Sequence, residues 1–200
     1  MEQQDQALLV IASRLLTYPN DDFAKEAEEM MECIEENITT PTMRTEVEKA
    51  LKPIVNYSVP NLQQLYVATF DLRARQGLYL TAHELGDSNK RGAALIKLQK
   101  IINKAGFERV DDELADYMPM LFEFLAQAPD SPDNERLIRR LAAAIQRIMN
   151  NMPEDNPYYN VLRTLMTFIF PQPTKEEIEK LEFEREEADL EELPYPIMYH

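Results

Sequence analysis

Apolar residues recur every three or four positions through most of this chain, and proline rather than glycine breaks the pattern. The 200 residues contain thirteen prolines and only four glycines. Tight β-hairpins depend on residues at positive φ, and phosphate-cradling loops need close backbone approach; glycine is the usual supplier of both. So few glycines argue against an all-β fold and against nucleotide binding through a Gly-rich loop. The pattern that remains is one amphipathic helix after another.

Residues 5–17 place Leu8, Ile11, Ala12 and Leu15 on one helical face. Tyr18-Pro19 ends this helix, because the residue before a proline avoids the α region. Asn20 is the expected cap of a second helix, with Phe23, Ala27, Met30, Met31 and Ile34 inward and an acidic outer face. Thr40-Pro41 opens a third, which Pro53 kinks or ends. A fourth, over residues 61–72, buries Leu62, Leu65, Tyr66, Thr69 and Phe70. Asp87-Ser88 signals a fifth, with Leu95, Leu98, Ile101 and Ile102 inward and Gly106 at its end. Asp116 is the expected cap of a sixth, where Pro119 falls in the first turn and removes no helical hydrogen bond. Ser131-Pro132 and Asn156-Pro157 open the seventh and eighth. The expected fold is all-α. One compact bundle of about eight helices spans residues 1–173, and an acidic extension, a surface helix or tail, spans 174–200.

One stretch departs from this regularity. Residues 66–98 hold three of the four glycines, Gly77, Gly86 and Gly92, and His83, one of two histidines. Leu78, Leu80 and Leu85 are apolar enough to pack, yet Gly77 and Gly86 interrupt them. The expectation is a partly buried loop with one helical turn near residues 78–84.

The net charge is −15. Such a surface repels nucleic acid and anionic lipid and favours basic partners. Residues 174–192 alone hold ten acidic and three basic residues, whereas 88–109 hold six basic and one acidic. That basic stretch lacks interleaved aromatics to stack bases, so it reads as a solvated helix face. The single cysteine, Cys33, allows no internal disulfide and fits a reducing compartment. No apolar run approaches the ~20 residues that span a bilayer, and the opening MEQQDQALL lacks the pattern of a secretory signal. A cytoplasmic protein that is not permanently in a membrane is expected.

Chemistry is sparse. One cysteine and two histidines leave too few ligands for a zinc site. His83 could act as a general base, but no hydrolase or phosphate-binding motif accompanies it, and bracing a loop is the simpler role. Neither catalytic residues nor a bound cofactor are expected. Ten methionines offer either adaptable partner-binding surface or ordinary core filler.

Three elements then carry a resemblance. They are Tyr66-Val-Ala-Thr-Phe70-Asp71; Leu78-Tyr79-Leu80-Thr-Ala-His83-Glu84-Leu-Gly86-Asp87-Ser88 with Arg91-Gly92; and Leu114-Ala-Asp116-Tyr117-Met118-Pro119. In this order they resemble the NarJ family of respiratory nitrate reductase assembly chaperones, relatives of the TorD/DmsD chaperones. The resemblance covers about residues 5–170. It implies a TorD-like helical protein that binds the N-terminal, twin-arginine-like leader of the apo nitrate reductase alpha subunit. It also implies that the subunit is kept competent for molybdenum cofactor and iron–sulfur insertion before membrane attachment. Chaperoning of a DMSO or TMAO reductase, or a generic helical adaptor, are the alternatives. The family commonly has Ser at Gly77, and often Pro and His at Ala115 and Tyr117. The implied peptide groove comprises Tyr66, Phe70, Asp71, Leu78, Tyr79, His83, Asp87, Arg91, Asp116, Tyr117, Met118 and Pro119. Its aromatic and apolar members would cover the leader's apolar face, and Asp71, Asp87 and Asp116 would receive its cations. Arg91 would hold an acidic partner inside the loop. The protein is expected as a monomer or a homodimer.

Overall fold

Helix α1 (Gln3–Leu16) is the axis of the fold. In the computed structural model, which describes residues 1–108 and 113–179, it packs against α7 (Met118–Gln127), α2 (Phe23–Asn37), α9 (Pro157–Phe168) and α3 (Pro41–Val55). Being surrounded, it buries more than one face: Ala7, Leu9 and Leu16 join Leu8, Ile11, Ala12 and Leu15 in the core. Helix α8 (Pro132–Asn151) lays a long stripe of Leu137, Leu141, Ala144, Ile145 and Ile148 into the same core and packs on α9. The described residues are all-helical, and their one β-type pairing is an isolated bridge between Tyr79 and Tyr117.

Several helix starts form where the caps stand. Ser131 Oγ accepts from the Asn134 amide at 3.2 Å, and Asn156 Oδ1 accepts from the Tyr158 amide at 3.0 Å. Proline occupies the first turn of α3, α4 (Val59–Tyr66), α7, α8 and α9. Pro53 lies inside α3, which ends two residues later at Val55. Other starts differ from expectation. Asp22, not Asn20, is the residue before α2; the Asn20 side chain instead turns back to accept from the Asp22 amide at 2.7 Å. Asn89 precedes α6 (Lys90–Lys104), with Ser88 Oγ accepting from the Lys90 amide. Met31 is 40% exposed, because the acidic face of α2 turns it outward.

The interrupted stretch is more ordered than its composition suggests. Helix α4 continues into a π-helical turn, Val67–Asp71, in which the Leu72 amide reaches back five residues to the Val67 carbonyl. The turn is anchored from α9, where the Asn156 amide group donates to Thr69 Oγ1 at 2.9 Å. The expected helical turn is α5 (Leu80–Leu85). Gly86 ends it at φ 53° and ψ −134°, a region essentially reserved for glycine. Helix α5 touches α6 and α8. Helix α6 buries only Leu98 and Ile102; Leu95 and Ile101 are half-buried.

The methionines are mostly filler: Met118, Met152 and Met166 are buried. After Phe170 the chain makes a short helical turn over 175–179, opened by reciprocal bonds between Thr174 and Glu177. The acidic run beyond it, the terminal apolar segment and Asp111-Asp112 lie outside the described residues. No described helix is long and apolar enough to cross a membrane.

Candidate functional site

The interrupted stretch and the start of α7 enclose a cleft of about 520 Å³. The Tyr79–Tyr117 bridge closes its back. There the Leu80 amide donates to the Asp116 carbonyl at 2.9 Å, and the Met118 amide donates to the Leu78 carbonyl at 2.8 Å. Two backbone bonds thus clamp the loop before α5 to the loop before α7 and fix the spacing of the walls.

The floor is aromatic. Tyr66 and Phe70 stand edge-on at 5.0 Å between centroids, Tyr18 meets Tyr66 at 5.4 Å, and Tyr79 tilts against Tyr117 at 5.5 Å. Beneath them Tyr158 is fully buried, 4.9 Å from Phe70. The Tyr66 and Tyr117 hydroxyls lie 3.1 Å apart, and both reach the Leu16 carbonyl, at 3.2 and 3.3 Å. They thereby satisfy a carbonyl left open at the end of α1. Burial pushes the ionisation of Tyr66, Tyr79, Tyr117 and Tyr158 upward; a carboxylate neighbour, Glu113, adds to the effect at Tyr79. The rim is acidic: Asp71, Asp87 and Glu113 line the opening.

Of the twelve residues read from the sequence, seven line this cleft: Tyr66, Phe70, Asp71, Leu78, Tyr79, Asp87 and Tyr117. The other five do not line it. Met118 and Pro119 are buried in the first turn of α7. His83 is 1% exposed, and its Nε2 donates to the Gly77 carbonyl at 2.6 Å, so it braces the loop. A histidine so enclosed has no access to a substrate. Its own carbonyl accepts from the Arg147 guanidinium of α8 at 2.9 Å.

Asp116 requires a correction on two counts. Tyr117, not Asp116, precedes α7, and Asp116 is fully buried, so its carboxylate cannot greet a cation from solvent. Its Oδ2 instead accepts from the Thr81 amide at 3.1 Å and from the Thr81 hydroxyl, capping the first turn of α5 from across the chain. Arg91 completes this cluster. It donates to Thr81 Oγ1 at 3.1 Å and lies 3.4 Å from Asp116 Oδ2, with its guanidinium 5.9 Å from the Tyr79 ring centre. The acidic partner expected for Arg91 is therefore Asp116.

Sequence reasoning missed Tyr18 and Glu113 on the cleft. Tyr18 is half-exposed beside a proline and reads as a helix end; Glu113 stands among several carboxylates with nothing to single it out. Among the described residues no cluster of three or more potential metal ligands forms.

The described residues form a helical body holding an aromatic cleft lined by Asp71, Asp87 and Glu113, and comparison with known proteins gives its lineage. The chain belongs to the nitrate reductase delta subunit family, whose model matches residues 21–154. It is 26% identical over 170 residues to the probable nitrate reductase molybdenum cofactor assembly chaperone NarJ of Bacillus subtilis, covering 84% of this chain and 90% of that protein. It is 29% identical over 159 residues to the NarJ chaperone of Escherichia coli K12, covering 79% and 67%. It is also 31% identical over 144 residues to the nitrate reductase-like protein NarX of Mycobacterium tuberculosis, covering 72% of this chain and 21% of NarX.

Proposed function

We propose that this protein is an assembly chaperone, not an enzyme, that receives the N-terminal leader of a nitrate reductase alpha subunit in the cleft between the π-turn, α5 and the start of α7. It keeps that subunit competent for molybdenum cofactor and iron–sulfur insertion before membrane attachment, and it does so in the cytoplasm. The observation that carries this reading is the cleft itself. Its aromatic floor suits the apolar face of an extended or helical peptide, and the Asp71, Asp87 and Glu113 rim suits the basic residues beside that face. The molecule's charge of −15 further favours a cationic guest.

The test is calorimetric titration of the full chain with a synthetic peptide of the alpha subunit's N-terminus, at low salt. Micromolar or tighter binding is expected, weakened about tenfold by Asp71→Lys, because a rim carboxylate becomes a repelling cation. The absence of heat across pH 6 to 8 would remove the reading. Tighter binding of a DMSO or TMAO reductase leader would reassign the client.

A further inference from the structure

The exposed basic side of α6 and the acidic run that follows residue 179 take no part in the cleft. Between α6 and α8 lies a groove of about 240 Å³, lined by Ala94, Lys97, Ile101, Arg136, Leu137 and Arg140. Buried Leu137 and half-buried Ile101 make it apolar at depth. Ile96, 60% exposed, stands beside Lys97 and one turn from Lys100. The cations here differ in how far they are committed. Arg140 donates twice to Glu84, at 2.6 and 2.7 Å. Among the described residues the carboxylate partner of Arg136 is Asp133, three positions earlier on the same helix; an exposed pair of that kind is weak. Lys97 and Lys100 are exposed and pair with no carboxylate among the described residues.

We propose that residues 180–192 of this same chain dock along this groove, with their carboxylates against Lys97, Lys100 and Arg136. The chain arrives beside it. Glu177 lies 3.9 Å from Arg139 of α8, and Glu177 and Ile178 are half-buried while Glu176 and Glu179 are exposed. Arg139 stands one helical turn, about 5 Å along the axis, from Arg136 on the groove wall. The thirteen residues from 180 to 192 can span up to about 45 Å, so the groove is within reach. They hold seven acidic residues and two basic, and Leu181, Phe183 and Leu190 supply apolar groups for Ile96 and Ile101. The tether decides the occupant. Exposed ion pairs are individually weak and screened by salt, so a separate acidic peptide would bind poorly. A covalently attached segment is present at an effective concentration on the order of millimolar. A segment docked there joins α6 to α8, the two helices that α5 touches, and so steadies one wall of the cleft from outside. The proposal is independent of what the cleft receives.

The experiment cross-links the full chain with a carbodiimide, which joins a lysine amine directly to a carboxylate, in a dilute mixture of unlabelled and nitrogen-15-labelled protein at low salt. Mass spectrometry is expected to find Lys97 and Lys100 joined to residues 180–192 several times more often than Lys52, which is exposed on α3. The excess should fall severalfold at about 0.5 M salt, because screening weakens exposed pairs. Linkage to Lys52 as frequent as to Lys97 and Lys100 overturns the proposal. Links that join labelled to unlabelled chains also overturn it, and make a second copy the occupant. A second measurement follows amide exchange in the full chain carrying Glu182→Gln, Glu184→Gln, Glu186→Gln and Glu187→Gln. Exchange over residues 94–104 should quicken severalfold, with α1 unchanged as the control for folding. Lys97→Glu combined with Lys100→Glu should do the same. Unchanged exchange over 94–104 in both variants overturns the proposal.

Discussion

Replacing Asp116 with alanine tests whether the cleft is held from below. The carboxylate is fully buried and serves three donors: the Thr81 amide, the Thr81 hydroxyl and the Arg91 guanidinium. Breaking a buried ion pair from one side usually costs about 3–5 kcal/mol, because the remaining charge is left uncompensated. Two features lower that figure here. The Arg91 side chain keeps 24% exposure, and its contact with Asp116, at 3.4 Å, is long. Asp116 Oδ1 also has no hydrogen-bond partner among the described residues, so some desolvation cost disappears with the carboxylate. Loss of the α5 cap acts the other way, by about 1 kcal/mol. The expected net cost is about 2–4 kcal/mol, or a melting temperature lowered by roughly 5–12 °C for a chain of this size. Thermal unfolding followed by far-UV circular dichroism measures it. Arg91→Met alone, and combined with Asp116→Ala, completes a cycle in which the double variant should lose less than the sum of the singles by about 1 kcal/mol or more. A drop below about 2 °C for Asp116→Ala, or strict additivity, would mean that this carboxylate does not hold the cleft from below.

Other perturbations follow from the same geometry. Tyr158→Phe should leave stability unchanged or raise it by up to about 1 kcal/mol, since the Tyr158 hydroxyl is buried without a hydrogen-bond partner among the described residues; a chemical denaturation midpoint reads this. His83→Ala should cost about 2–3 kcal/mol through the lost Gly77 bond and the cavity, and should speed amide exchange around residues 77–80. Alkali should destabilise the fold. Burial raises the ionisation of Tyr66, Tyr79, Tyr117 and Tyr158 above the unfolded value near 10, so above that pH the unfolded chain gives up protons that the native state retains. The stability those phenols confer is complete below pH ~10 and declines as pH climbs toward their raised values, which denaturant titrations at pH 8 to 11 would detect as a falling midpoint.

The helices could be read from the chain because their signals are local. Apolar spacing, Ser131, Asn156 and the helix-opening prolines act within a few residues, and the structure places helices where they stand. The irregular run at 66–98 could be seen as unusual for the same reason. What lies in it depended on partners far along the chain. Asp116 reads locally as the cap of the helix that follows it. It instead caps α5, 35 residues earlier, because the Tyr79–Tyr117 bridge brings the two segments together. The π-turn depends partly on Asn156, 87 residues away. His83 and Met118 looked available for binding until packing enclosed them, while Glu113, one carboxylate among many, meets the Tyr79 hydroxyl only in the assembled fold. Periodicity and capping determined which segments are helical. Only their assembly decided which polar groups were spent inside and which remained on the rim, because burial and long-range hydrogen bonding exist only once the helices have met.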